Sequence, residues 1–143
     1  MLTTLRQAKR LLILLLSQSV WLSKALQKRI DAFHYIALRI ILGIPHSFIS
    51  RVSNAEVLRR SGDAMLHTQL LRQQLLYYGR LVRNDNHPAR YLLEAAPTKR
   101  RPGRPHLSWA SELRNHIQNM SCDPRCIDSK IHWRESVNEY CYS

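Results

Sequence analysis

The sequence predicts an all-α fold, an irregular array of about five to six amphipathic helices, and three observations carry the prediction. Apolar residues recur at spacings of three and four through most of the chain, the period of a helix face. No segment shows the every-second-residue alternation of a half-buried strand. Only 4 glycines and 6 prolines interrupt 143 residues, so the breaks between helices are few and can be located. At 45% hydrophobic the chain is too apolar for a disordered basic tail, and it has the length of one ordinary domain or of one piece of a larger protein.

In chain order, Leu11 to Leu16 form an unbroken aliphatic run behind Arg6, Lys9 and Arg10, ended by Ser17, Gln18 and Ser19. Spanning a bilayer takes about 20 apolar residues, so the run is too short to cross one. A helix buried in a larger protein accounts for it; a targeting segment is the alternative, although no small-x-small cleavage site follows. From Leu22 the residues Leu26, Ile30, Phe33, Ala37, Ile40 and Ile44 make a continuous stripe expected to face a core, with Lys24, Lys28, Asp31 and Arg39 on the far side. Gly43, Ile44 and Pro45 end that helix. Ser53-Asn54-Ala55-Glu56 has the form of a capping box, opening a short helix to about Arg60 that Gly62 closes.

Between Leu66 and Arg83, Leu66, Leu70, Leu71, Leu75, Tyr77, Tyr78, Leu81 and Val82 cover about half of a helix circumference, which predicts a helix packed between partners. Its polar edge carries Gln69, Arg72, Gln73, Arg80 and Arg83, either a solvated face or a row of phosphate contacts. Asn84 to Pro88 is a turn-rich break, followed by a short segment from Ala89 to Ala96. Pro97 to Pro105 is an extended basic linker with Lys99, Arg100, Arg101 and Arg104. Beyond it Ala110, Leu113, Ile117 and Met120 predict another amphipathic helix with Trp109 beside its start, and a weaker one runs from about Ile127 to Glu139 with Ile131, Trp133 and Val137. The natural divisions are residues 1–95, a linker at 96–106 and a C-terminal helical segment at 107–143.

The net charge of +12 points to an anionic partner, nucleic acid or an acidic membrane surface. It is unevenly placed: +6 over residues 1–45, +3 over 46–95, +4 over 96–105 and −1 over the remainder. Gly103-Arg104-Pro105 is similar to the core of a minor-groove AT-hook, but Pro102 stands where the first groove-reading arginine belongs, so non-specific phosphate contact and a plain solvated linker rank ahead of a true hook.

Cys122, Cys126 and Cys141 are an odd set confined to the C-terminal end, a poor disulfide framework. Reduced thiols are the plain reading; a zinc site with His116 or His132 is the sharper one, against which the missing second close pair weighs. Asp31, Asp63, Asp85, Asp123 and Asp128 occur singly, without the adjacent pair that two-metal polymerases and nucleases need. No Gly-rich phosphate loop, His-Glu-x-x-His or Gly-x-Ser-x-Gly is present, and the dispersed histidines read as ordinary surface or half-buried residues. No active site, cofactor or resident metal is expected.

The order of segments resembles the region that follows the polymerase core in non-LTR (LINE-type) retrotransposon reverse transcriptases. The residues that carry the likeness are Ser19 to Leu26, Arg29 to His34, Leu38 to Ile44, Val52 to Leu58, the helix from Leu71 to Arg83 with a glycine before its basic end, the Gly-Arg-Pro segment and Trp of Lys99 to Trp109, and the pair Trp133-Arg134. The chain departs from that family in lacking the fingers, the palm with its paired aspartates and any endonuclease, and in reading Ser17-Gln18-Ser19-Val20-Trp21 where Gly-Ser-Glu-Thr-Trp is usual. The resemblance implies a truncated thumb-and-connector fragment, non-catalytic on its own, whose partners are the RNA or DNA backbone and the missing polymerase core, in nucleus or cytoplasm. Arg72, Arg80, Arg83, Lys99, Arg100, Arg101 and Arg104 are then the candidate nucleic-acid contacts. A helical membrane-surface or protein-interaction protein, and a translated relic without function, are the alternatives; a membrane is not a partner of the first reading.

Overall fold

The structure, a computed structural model, describes residues 23–94, 109–120 and 122–142. The Leu11 to Leu16 run and the basic linker with Lys99, Arg100, Arg101 and Arg104 lie outside the described residues. Among those described, the chain forms five helices, two single helical turns and a 3-10 turn, with no strand, so the all-α expectation holds.

Helix α1 runs Lys24–Leu42. Ser23 caps it by accepting the Leu26 N–H, and Gly43 ends it at φ 65°, where glycine carries no Cβ penalty. The face that packs is not the expected stripe. Phe33 and Ile40 are 63% and 75% exposed, whereas His34, Leu38 and Arg39 are buried, with Ile30 half-buried against Leu66 and Leu70. Asp31 and Arg39, expected on the far side, are both engaged inside. The reason is polar pairing, which a wheel of apolar residues does not register.

Arg39 is the clearest case. Its guanidinium donates to the carbonyls of Pro45 (3.2 Å) and Val52 (2.5 Å), to Ser50 Oγ (3.4 Å) and to Asn54 Oδ1 (3.1 Å). Four acceptors spread over the connection after α1 are thereby gathered onto one side chain. A single helical turn, Ser47–Ser50, sits in that connection, followed by Arg51 at φ 53°.

Helix α2 spans Asn54–Ser61 and stops at Gly62, φ 64°. The capping box is half formed: Ser53 Oγ accepts the Glu56 N–H at 3.2 Å, but the Glu56 carboxylate turns to Arg59 and Arg60. Those hydrogen bonds hold its carboxyl at about 2, below the ordinary 4.5. Since the folded value is depressed, the stabilisation is present above 4.5 and is lost as pH falls towards 2. Glu56→Gln should therefore flatten the loss of α2 helicity between those two pH values, as followed by circular dichroism; an unchanged acid limb would show that the three side chains contribute nothing.

Helix α3, Leu66–Arg83, matches its expected bounds and is the axis of the fold. Met65 supplies no side-chain cap. Asp31 of α1 does so instead, accepting the His67 backbone N–H at 3.1 Å while its other oxygen lies 2.5 Å from His67 Nδ1. A carboxylate at a helix N-terminus satisfies a free N–H and complements the helix dipole. A second pair runs the other way, with His34 Nε2 3.3 Å from Asp63, and Gln69 donates to the same carboxylate at 2.9 Å. These reciprocal His–Asp pairs set α1 across the start of α3.

The opposite flank of α3 receives the C-terminal half. Helix α4 is Trp109–Asn119; after a 3-10 turn at Pro124–Ile127, helix α5 is Lys130–Tyr142, three residues later at its start than the sequence suggests because the chain first closes an Asp123-capped turn. Leu75, Leu113, Met120, Trp133 and Val137 form the main core, edged by Leu71, Tyr78 and Ile117. Ile131, expected to help bury α5, is 68% exposed.

Candidate nucleic-acid interface

The polar edge of α3 is neither a free row of arginines nor a wholly solvated face. Trp133 packs against it: the indole N–H donates to the Leu75 carbonyl at 3.0 Å, and a Cβ added at Gly79 would come within 2.3 Å of Trp133 Nε1. On either side an arginine reaches across. Arg72 Nε donates to Asn138 Oδ1 at 2.7 Å, and an Arg83 terminal nitrogen donates to the Ile127 carbonyl at 2.7 Å. Helix α5 and its preceding turn are thus fastened to α3 at three points in a line. Of the three arginines expected on this edge, Arg72 and Arg83 spend donors within the fold. Arg80 is exposed and has no partner among the described residues.

The C-terminal end of α3 also gathers both flanks of the linker. On the leading side, Arg90 donates to the Val82 carbonyl at 3.3 Å and pairs with Asp85, which fixes the chain just before the single turn Tyr91–Glu94. On the trailing side, the Trp109 ring packs on Tyr77 and Tyr78 of α3, with centroids 6.1 and 6.4 Å away. Arg114 of α4 then donates to the Leu93 carbonyl at 3.2 Å, tying one flank to the other. The described residues on either side of this segment, Arg90 before it and Trp109 after it, are therefore both fixed at the end of the helix that displays Arg80.

Of the candidate zinc ligands, Cys122 and Cys126 are neighbours, and the others have partners of their own. Cys126 Sγ is 3.0 Å from Ser136 Oγ, His116 Nδ1 is 2.9 Å from the Tyr140 hydroxyl, and His132 lies near Glu135. Burial pushes the Cys141 thiol up to about 11. Burial likewise lowers His116, holding its imidazole neutral against the Glu112 charge. Among the described residues no group of three or more His, Cys, Asp or Glu side chains is arranged to hold a metal ion.

Three residues that fasten α3 to its neighbours stand outside the expected set. Asn138 receives Arg72, and nothing in its sequence context distinguishes it. Gly79 could be noticed as a glycine inside a strongly helical pattern, a position that calls for a close neighbour. Asp31, the lone acid among the first 45 residues, could be noticed as a buried pairing partner. The chain matches no family model, no curated protein and no solved structure.

Proposed function

We propose that the chain is a non-catalytic nucleic-acid-binding fragment of a retroelement reverse transcriptase, contacting RNA or DNA through the backbone phosphates. The observation that carries this is the mooring of both linker flanks at the Arg80 end of α3. It holds the two described ends of the basic linker at the end of the helix that displays Arg80. Further support comes from Gly79 and Trp133. They belong to two distant segments of the resemblance, the Leu-Arg-rich helix and the closing Trp-Arg pair, and they are in direct contact. The contact set narrows to Arg80, Lys99, Arg100, Arg101 and Arg104, with Arg72 and Arg83 assigned to holding α5.

The test is binding of the whole chain to single-stranded RNA and to duplex DNA by fluorescence anisotropy across a salt series. Five phosphate contacts predict a slope of log K against log salt of roughly −3 to −4 for a single strand. Alanine at Lys99, Arg100, Arg101 and Arg104 should weaken binding to every sequence and flatten the slope. Arg80→Ala should lower affinity without changing the denaturation midpoint. By contrast, Arg72→Ala should cost about 1 kcal/mol of stability. An affinity untouched by removal of the four linker bases would refute the proposal.

A further inference from the structure

Helix α1 carries apolar side chains on two flanks, and the described residues cover one of them. Opposite the His34 and Leu38 face, Phe33, Ile36 and Ile40 stand 63%, 56% and 75% exposed. Beside them the turn Ser47–Ser50 presents Phe48 and Ile49 at 89% and 74% exposure. These two side chains are held in place, because the turn sits inside the connection that the Arg39 guanidinium gathers, and Arg39 lies between Ile36 and Ile40 in the chain. The fold thus orders an exposed apolar turn in the connection that follows an exposed apolar flank.

Charge narrows what can meet it. Lys24, Lys28 and Arg29 are exposed on α1, and His46 and Arg51 are exposed on the connection. The acids of this half are all engaged elsewhere: Asp31 with His67, Glu56 with Arg59 and Arg60, and Asp63 with His34 and Gln69. An apolar flank with Arg29 on it and Arg51 on the connection that follows suits a surface that is apolar inside and anionic at its face. Nucleic acid would use the bases but not the aliphatic side chains. A stable protein interface engages about 20–30 residues a side and packs against complementary relief. Here the strongly exposed apolar set is small, Phe33, Ile36, Ile40, Phe48 and Ile49. A fluid bilayer accommodates a small apolar set without a matching pocket.

We infer that this flank docks on an anionic lipid bilayer, with α1 lying in the plane of the surface, Phe48 and Ile49 inserted below the headgroups, and Arg29 and Arg51 among them. The contact is peripheral, since no described helix is long and apolar enough to cross a membrane. It lies on α1 and its connection, away from the end of α3 proposed for nucleic acid, and stands independently of that reading. Arg51 gives the surface a useful handle. Its φ of 53° lies in the left-handed region that favours glycine, so Arg51→Gly should firm the fold while removing a headgroup contact.

Flotation of the whole purified chain with vesicles of phosphatidylcholine alone, and of phosphatidylcholine with phosphatidylserine, tests it. Wild type should float with the anionic vesicles and remain behind with the neutral ones, and salt should reduce binding. Phe48→Ser with Ile49→Ser, both at exposed positions, should lower partitioning roughly ten-fold or more with the thermal midpoint unchanged. Arg51→Gly should lower it about five-fold while raising that midpoint. Equal flotation of the Phe48/Ile49 variant, or no preference for anionic lipid, would overturn the inference. So would a dimer in sedimentation velocity that the same variant dissolves, assigning the face to a second copy, or a matching loss of RNA affinity, assigning it to nucleic acid.

Discussion

Alanine at position 79 should cost the protein about 3 kcal/mol or more, measured as a fall in the urea midpoint. Local propensity predicts the opposite sign, since alanine in a helix interior is worth roughly 1 kcal/mol over glycine. Packing decides, because a methyl group there would sit 2.3 Å from the Trp133 indole nitrogen, and the neighbour that must move is a buried ring bonded to the Leu75 carbonyl. Displacing the ring breaks that hydrogen bond and opens the main core at Leu75, Leu113 and Val137 together. The coupling can be isolated by a double-mutant cycle. In a Trp133→Leu background the cost of Gly79→Ala should largely vanish, because the atom it strikes is gone. Additive losses, or a stable Gly79→Ala protein, would mean that α5 does not lie on α3 in this way.

Arg39→Met should be the second large effect, about 2–4 kcal/mol, and a local one. Methionine keeps the stem of the side chain and removes the donors. The Pro45 and Val52 carbonyls, Ser50 Oγ and Asn54 Oδ1 then lose the group that draws them together. Amide exchange should speed up at Ile49, Ser50 and Arg51, whose N–H groups bond within the turn, while amides of α3 stay protected. Lysine should recover only part of the loss, because a compact ammonium cannot span acceptors on both sides of a planar fork. Unchanged exchange at those three amides would remove Arg39 from its assigned role.

What the sequence could and could not show follows from the kind of force involved at each place. The bounds of α3 and the ends of α1 and α2 are readable because glycine caps, serine caps and a wide apolar arc act through neighbours in the chain. The packing face of α1 is not readable. Apolar residues lie on two of its flanks, and the choice between them is made by Asp31 and His34 meeting residues from the far end of α2 and the start of α3. The arginine edge misleads for the same reason. A wheel shows Arg72, Arg80 and Arg83 in a row, but it does not show that Trp133 lands between the outer two. The importance of α5 is hidden by its weak amphipathic pattern, since its burial depends chiefly on Trp133 and Val137. The start of that segment was there to be found, because an aspartate before a proline marks a capped turn.

The Gly79 slot also has a consequence in time. Synthesis proceeds from the N-terminus, so α3 leaves the ribosome well before the tryptophan that fills its groove. Until residue 133 emerges, Leu75 has no cover from α5, and the nascent chain displays an open apolar seam beside a glycine. In the interval α1 and α2 can settle, tied to the start of α3 by the Asp31 and His34 pairs, and α4 can lay Trp109 on Tyr77 and Tyr78, but the α5 side of the core stays open. Chaperone engagement on stalled nascent chains should accordingly drop sharply at the length that releases α5, marking the moment at which the second half of the fold closes.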